Sequence, residues 1–318
     1  MVTVHEVDSV EILSLQDNYI DALAMDNSDV IQRPSLFSPD NAHEGVVSNG
    51  PLAEHGFSSL ITVEFEGQRK SMLFDFGCSD NGALYNVDLL SIDLTQVEEL
   101  ALSHGHFDHF GGMKQLVERV GKDSIPLVAH PSVFKDRYVR TPTGLKLSFP
   151  SLVKENVRSM GAAIHETTDP LPMLDGYALF LGEIPRETNF EKGMPNAYCL
   201  KDGIEQTDAI EDDSSMIFNV KNKGLVVLSG CAHAGIVNTV NHAISVTGVS
   251  TVHAIMGGFH LSGPYHEQFI EPTISALQAF NPSYIIPAHC TGRKATLAIE
   301  RAMPEAFICN MSGTTLRF

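Results

Sequence analysis

The chain has 318 residues, 43% of them hydrophobic and 19% charged, with a formal net charge of −18. These proportions exclude a disordered or fibrous chain and fit a globular protein with a sizeable core. So acidic a balance argues against a nucleic-acid backbone or an anionic membrane as partner, but not against a small anionic substrate, because bound metal ions reverse the local field.

Residues 1–8 carry no basic stretch followed by an apolar one, as a secretory leader would. No apolar run approaches the roughly 20 residues that span a bilayer. Cys78, Cys199, Cys231, Cys290 and Cys309 are scattered and odd in number, with no CxxC pair. A reducing, cytoplasmic setting is expected.

In chain order, Val10–Leu15, Ser59–Glu66 and Ser71–Phe76 read as strands rich in Val, Ile, Leu and Phe. Glu66-Gly67-Gln68 is a hairpin turn signal between the last two. Leu100–Ser103 is a short buried strand, followed by a helix over Gly111–Val120 with Met113, Leu116 and Val120 on one side. Pro126–Ala129, Leu179–Leu181, Met216–Val220 and Gly224–Leu228 read as strands, the last two joined at Asn222-Lys223. Val252–Met256 and Tyr284–Pro287 are strands separated by a helix from about Glu267 to Phe280, with Pro272 tolerated in its early turns. This order predicts a mixed α/β layered fold. One domain spanning 1–318 is expected, with excursions at about 22–56 and 131–213.

The chemistry sits in the histidines, of which there are 14. Ser103-His104-Gly105-His106-Phe107-Asp108-His109-Phe110-Gly111-Gly112 lies between a strand and a helix. Four ligand-type side chains in six residues suit two adjacent metal ions, His104 and His106 on one, Asp108 and His109 on the other. Three further histidines follow strand ends, where α/β sheets gather ligands. They are His233 in Ser229-Gly-Cys-Ala-His-Ala-Gly235, His260 after Gly257-Gly258-Phe259, and His289 in Pro287-Ala-His-Cys-Thr-Gly292. Cys231 reads either as a thiolate ligand or as a small packing residue, the second being preferred. His5, His43, His130, His165, His242, His253 and His266 have no ligand-spaced partner.

The pattern His104-x-His106-x-Asp108-His109 resembles the metallo-β-lactamase superfamily, as does Leu73-Phe74-Asp75-Phe76-Gly77 before it. The resemblance covers roughly residues 55–310. It implies a four-layer αββα sandwich with the metals at one edge, and Asp75 supporting the metal loop without being a ligand. Glu54-His55-Gly56-Phe57-Ser58, Gly182-Glu-Ile-Pro-Arg186 and the three glycine-flanked histidine motifs resemble one branch. It is the 7,8-dihydropterin-6-methyl-4-(β-D-ribofuranosyl)-aminobenzene-5′-phosphate synthase-like group. The superfamily's bridging ligand has two registers here, His260 or Cys231; the first uses both glycine-flanked histidines and is preferred.

The expected metal set is therefore His104, His106, Asp108, His109, His233, His260 and His289. Two Zn2+ ions are expected, with Mn2+ or Fe2+ as alternatives. Asp108 and His233 are expected to serve catalysis as well. Glu54, His55 and Arg186 are candidate substrate contacts, Arg186 as a bidentate phosphate clamp, and Asp17-Asn18 is a weaker one. The expected function is a hydrolase or dihydropterin-synthase-like enzyme on a small phosphorylated or ester-like molecule. A phosphodiesterase or lactonase, or a metal-binding module without catalysis, are the alternatives. The expected partner is that small molecule, with nucleic acid and membrane excluded and self-association left open.

Overall fold

Alternation along the strands decides the layering. In strand Gln68–Phe74, Met72 and Phe74 join one apolar cluster while Leu73 joins another; in Gly224–Ser229, Val226 and Leu228 divide from Leu225 and Val227 in the same way. A sheet apolar on both faces must be covered on both. Met72 and Phe74 meet Val226 and Leu228 in a shared core between two sheets. Leu73 and Leu100 face helices Gly82–Leu89, Met113–Val120 and Lys154–Ser159, while Leu225 and Val227 face Ile236–Thr247, Ile270–Phe280 and Arg293–Ala302. The result is the expected αββα sandwich. This computed structural model describes residues 1–34, 42–43, 46–47, 49–141, 143–201 and 203–318.

The first sheet has the strand order Ala162–Glu166, Ile125–Ala129, Val97–Ala101, Gln68–Phe74, Ser58–Phe65, Ser9–Gln16, Thr315–Arg317, Ile31–Gln32. The second runs Leu171–Met173, Ala178–Phe180, Ser215–Val220, Gly224–Ser229, Val252–Gly258, Tyr284–Ala288, with Glu6–Val7 beside Ser215–Val220. The hairpin at Glu66-Gly67 has φ of 49° and 74°, the two positive values that match strand twist in a two-residue turn. Parallel pairing places the ends of Val97–Ala101, Gly224–Ser229, Val252–Gly258 and Tyr284–Ala288 at one edge of the sandwich. His104, Cys231, His233, His260 and His289 all follow those ends.

Three expectations need adjustment. The helix expected over Gly111–Val120 is two pieces, Phe107–Phe110 and Met113–Val120. The backbone leaves helical geometry at Gly112 (φ −88°, ψ 7°), and Gly111 before it must be glycine, since a Cβ there would lie 1.8 Å from the Cys78 carbonyl oxygen. The stretch 131–213 is not one excursion. Residues 154–180 return to the sandwich as a helix and edge strands, and only Asp136–Arg140, Lys146–Ser148, Ala197–Lys201 and Ile204–Thr207 form a separate four-stranded sheet. Within the 22–56 segment, Ile31–Gln32 is an edge strand on Thr315–Arg317. Residues 35–41, 44, 45 and 48 of that segment, and the side chain of His43, lie outside the described residues.

Candidate metal centre

The turn after Val97–Ala101 is shaped by a buried carboxylate. Asp75 accepts hydrogen bonds from the Ser103 amide and the Ser103 hydroxyl, both at 2.7 Å, and pairs with His109 Nδ1 at 2.6 Å. It thereby fixes the loop and leaves His109 Nε2 free on the other side of the ring. Asp75 does this at φ 59°, and Ala232, His260 and His289 share that left-handed region at 52°, 45° and 47°. Such backbone conformations cost of order 1–3 kcal/mol each and cluster at functional sites. Gly105 lies under the loop because a Cβ would come 2.2 Å from the Val133 carbonyl oxygen. Its amide donates to Asp212 at 2.8 Å, and Asp212 is paired with Arg137.

Two donor groups result. In the first, His104 Nε2, His106 Nδ1 and His233 Nε2 form a triangle with edges of 2.9, 3.1 and 3.2 Å. In the second, Asp108 Oδ2 lies 3.2 Å from His289 Nε2 and 3.8 Å from His109 Nε2, with His55 Nε2 at 3.7 Å. Cys231 stands between them. Its Sγ is 3.1 Å from His109 Nε2 and within 4.8 Å of donor nitrogens of His104, His233, His260 and His289. His260 adjoins the first group, its ring centroid 4.2 Å from that of His233.

These residues fit a divalent metal on their own chemistry. Protons on one or two nitrogens cannot satisfy three imidazole nitrogens that converge within 3.2 Å, whereas a cation at their centre does. Tetrahedral Zn2+ takes such nitrogens at about 2.0–2.1 Å. His289 Nε2 is buried without a hydrogen-bond partner although a carboxylate faces it. Burial pushes His104 and His233 well below the usual histidine range, with the neighbouring histidines adding to the effect. Burial also takes His106 to about 4 and His260 to about 3. Ligand histidines must be neutral, so this is the required state. His109 differs: burial lowers it, but the Asp75 and Asp108 carboxylates outweigh burial and raise it. Burial raises the Cys231 thiol well above its ordinary value, so a thiolate there requires a cation beside it.

Outer groups complete the frame. Asp17 accepts the His289 amide at 2.8 Å, and Asn18 contacts both the His289 ring and its carbonyl. Asp213 accepts the Ala234 amide at 2.9 Å, beside His233. Glu191 accepts the amides of Val237 and Asn238, both at 2.9 Å, and so caps the helix that follows His233. Glu54 is occupied by Gln16 at 2.7 Å and Ser79 at 2.8 Å. Arg186 holds the Ala209 and His233 carbonyls and stands apart from the cleft. Of the three candidate substrate contacts, His55 alone lines it.

That cleft, about 190 Å³, opens from the metal groups toward the separate four-stranded sheet. His55, His106 and Asp108 form its floor, and Tyr138, Phe149 and Tyr198 its wall. Tyr138 and Tyr198 are cross-strand partners, stacked at 5.6 Å and 13°. Phe149 stacks on Phe107 at 6.1 Å. The sequence does not reveal this wall, because its strands are short and show no regular alternation. Sequence reading also ranked Cys231 as packing, since a lone cysteine carries no spacing signal, and it gave Asp212-Asp213 no role.

The model of the metallo-beta-lactamase superfamily matches residues 53–184. The 7,8-dihydropterin-6-methyl-4-(beta-D-ribofuranosyl)-aminobenzene-5'-phosphate synthase of Methanocaldococcus jannaschii is 34% identical over 275 residues, covering 85% of this chain and 92% of that protein. The chain belongs to the metallo-beta-lactamase superfamily. Membership implies an enzyme that holds divalent metal. An uncharacterized protein of the same organism is 30% identical over 246 residues, 77% of this chain and 86% of that one. Among solved structures, a metal-dependent hydrolase of the beta-lactamase superfamily superposes with a TM-score of 0.71 at 21% identity, covering 96% and 98% of the two chains. YhfI from Bacillus subtilis gives 0.53 at 10% identity, covering 98% and 100%. These two show the shared fold. Among the described residues, no helix is long and apolar enough to cross a membrane.

Proposed function

We propose that this protein is a metal-dependent enzyme with a dinuclear site that acts on a small phosphorylated molecule bearing a flat ring, by synthase-type chemistry. One observation carries the proposal: two donor groups share Cys231 at the floor of an aromatic-walled cleft. Zn2+ is the preferred metal, since the donors are imidazole, thiol and carboxylate, with Mn2+ or Fe2+ as alternatives. His104, His106 and His233 would hold one ion, with His260 adjoining. Asp108, His109 and His289 would hold the other, and Cys231 would lie within reach of both. When bound, the pair supplies Lewis-acid stabilisation of developing charge on oxygen.

The protein's own residues do the rest. Asp75 and Asp17 keep His109 and His289 in place, and the tyrosine and phenylalanine wall gives a planar ring a surface to stack on. The name of the 34% identical relative, a synthase of a pterin-methyl-aminobenzene compound, supports joining of these two parts. On this reading an arylamine carbon or nitrogen bonds to a pterin methylene carbon, displaces its diphosphate and gives up its own proton to water. Hydrolysis of a phosphodiester or lactone is the second reading, favoured by the solvent-facing side of the second group at His55 and Asp108. The five unpaired cysteines support a cytoplasmic setting.

A dihydropterin-methyl diphosphate, offered with and without an arylamine, separates the readings. Release of diphosphate that depends on the arylamine, with a condensed product, supports the synthase reading. Release without it supports hydrolysis. No turnover of diphosphates, phosphodiesters or lactones by the zinc-loaded protein contradicts both.

A further inference from the structure

We propose that Asn18 sets the tautomers of His55 and His289 together, and so presents His55 to the cleft as a fixed Nε2–H donor for an oxygen of the substrate. This rests on the reading of His289 as a member of the second donor group.

The His289 carbonyl oxygen only accepts hydrogen bonds, and an amide atom of Asn18 lies 3.0 Å from it. That atom must be Nδ2, so the amide orientation is decided without reference to any ring. Oδ1 then faces His289 Nδ1 at 3.1 Å, and Nδ1 must carry the hydrogen. The lone pair of His289 is left on Nε2, turned toward Asp108 Oδ2 at 3.2 Å. The second hydrogen of Nδ2 points to His55 Nδ1 at 3.0 Å, which must accept it. In neutral His55 the hydrogen is therefore on Nε2.

His55 Nε2 is 3.7 Å from Asp108 Oδ2, beyond a hydrogen bond, so among the described residues this N–H meets no acceptor at bonding distance. Its side chain is 64% exposed and lines the same cleft as His106 and Asp108. A donor held beside two donor groups suits an anionic substrate oxygen, such as one on phosphate. Both amide hydrogens of Asn18 and one lone pair of its Oδ1 are used on these two histidines, so Asn18 is a positioning residue for both.

Long-range proton–nitrogen correlation on 15N-labelled protein at pH 8 reads both tautomers, with the His55 signals assigned by their loss in His55→Gln. The expected result in metal-free protein is Nδ1–H for His289 and Nε2–H for His55. Asn18→Asp replaces the donor with a second acceptor, so His55 should change to Nδ1–H while His289 keeps its Nδ1–H. Asn18→Ala should weaken the zinc ion held by the group that contains His289 by about 10–100-fold, the usual effect of losing an outer partner, and leave the ion at His104, His106 and His233 unmoved. His55 found as Nδ1–H in the parent, or unchanged in Asn18→Asp, overturns the proposal. Both tautomers as assigned in a protein that takes up no divalent ion would support the proposal and overturn the metal-centre reading instead.

Discussion

Cys231 Sγ lies 3.1 Å from His109 Nε2, at the point where the two donor groups meet. Burial raises this thiol well above its ordinary value, so the sulfur becomes a thiolate only beside a cation. Cobalt-loaded protein should show a sulfur-to-metal charge-transfer band, and Cys231→Ala should abolish it. The same change should weaken at least one ion by about tenfold or more. A band that persists in Cys231→Ala would return Cys231 to the role of packing residue.

Arg137 ties the metal loop to the cleft wall. Its guanidinium meets Asp208 at 2.7 Å and also Asp212, which receives the Gly105 amide. All three side chains are buried. Arg137→Leu leaves two buried carboxylates without their cation, which costs about 3–5 kcal/mol. Urea unfolding should show that loss; a change within 1 kcal/mol or so would mean that the carboxylates simply take up protons or water.

The metal-free protein should be acid-sensitive. His106 and His260 titrate near 4 and 3 when folded, because burial opposes their charge, against about 6.5 unfolded. The unfolded chain then binds more protons between those values, so stability is present above pH 6.5 and falls as pH drops toward 4. His104 and His233 act in the same direction, while His109, raised by its carboxylate neighbours, acts against it. Melting temperature of chelator-treated protein should fall between pH 7.5 and about 5. A flat profile would contradict the buried, neutral state of these rings.

The aromatic wall should govern affinity and not metal content. Tyr198→Ala removes the ring stacked on Tyr138 and opens the cleft. Apparent KM for a ring-bearing substrate should rise about 2- to 10-fold, since stacking contributes about 0.5–1.5 kcal/mol beyond area burial. Metal content should stay as in the parent. Loss of metal in Tyr198→Ala would show that the wall supports the ligands instead.

Much of this was legible in the chain. His104, His106, Asp108 and His109 stand in one short run, and glycines beside His233, His260 and His289 mark close backbone approach at strand ends. The two-layer core shows in strands such as Gly224–Leu228, where a continuous apolar run means two covered faces. Three things escaped because they depend on distance in space. Cys231 is surrounded by five histidines that follow four different strands. Asn18 acts on residues 37 and 271 positions away. The cleft wall joins Tyr138 to Tyr198 through short strands whose pairing has no strong period. Arg186 misled for a related reason: an arginine beside a Gly-Pro motif suggests phosphate, but here it binds backbone carbonyls behind His233.

Metal content per chain tests the central claim most directly. Elemental analysis on protein purified without chelators should give two ions in the parent and one in Asp108→Ala, whose far-ultraviolet circular dichroism should match the parent. One ion or none in the parent, or two retained in Asp108→Ala, would contradict a dinuclear centre built on these residues.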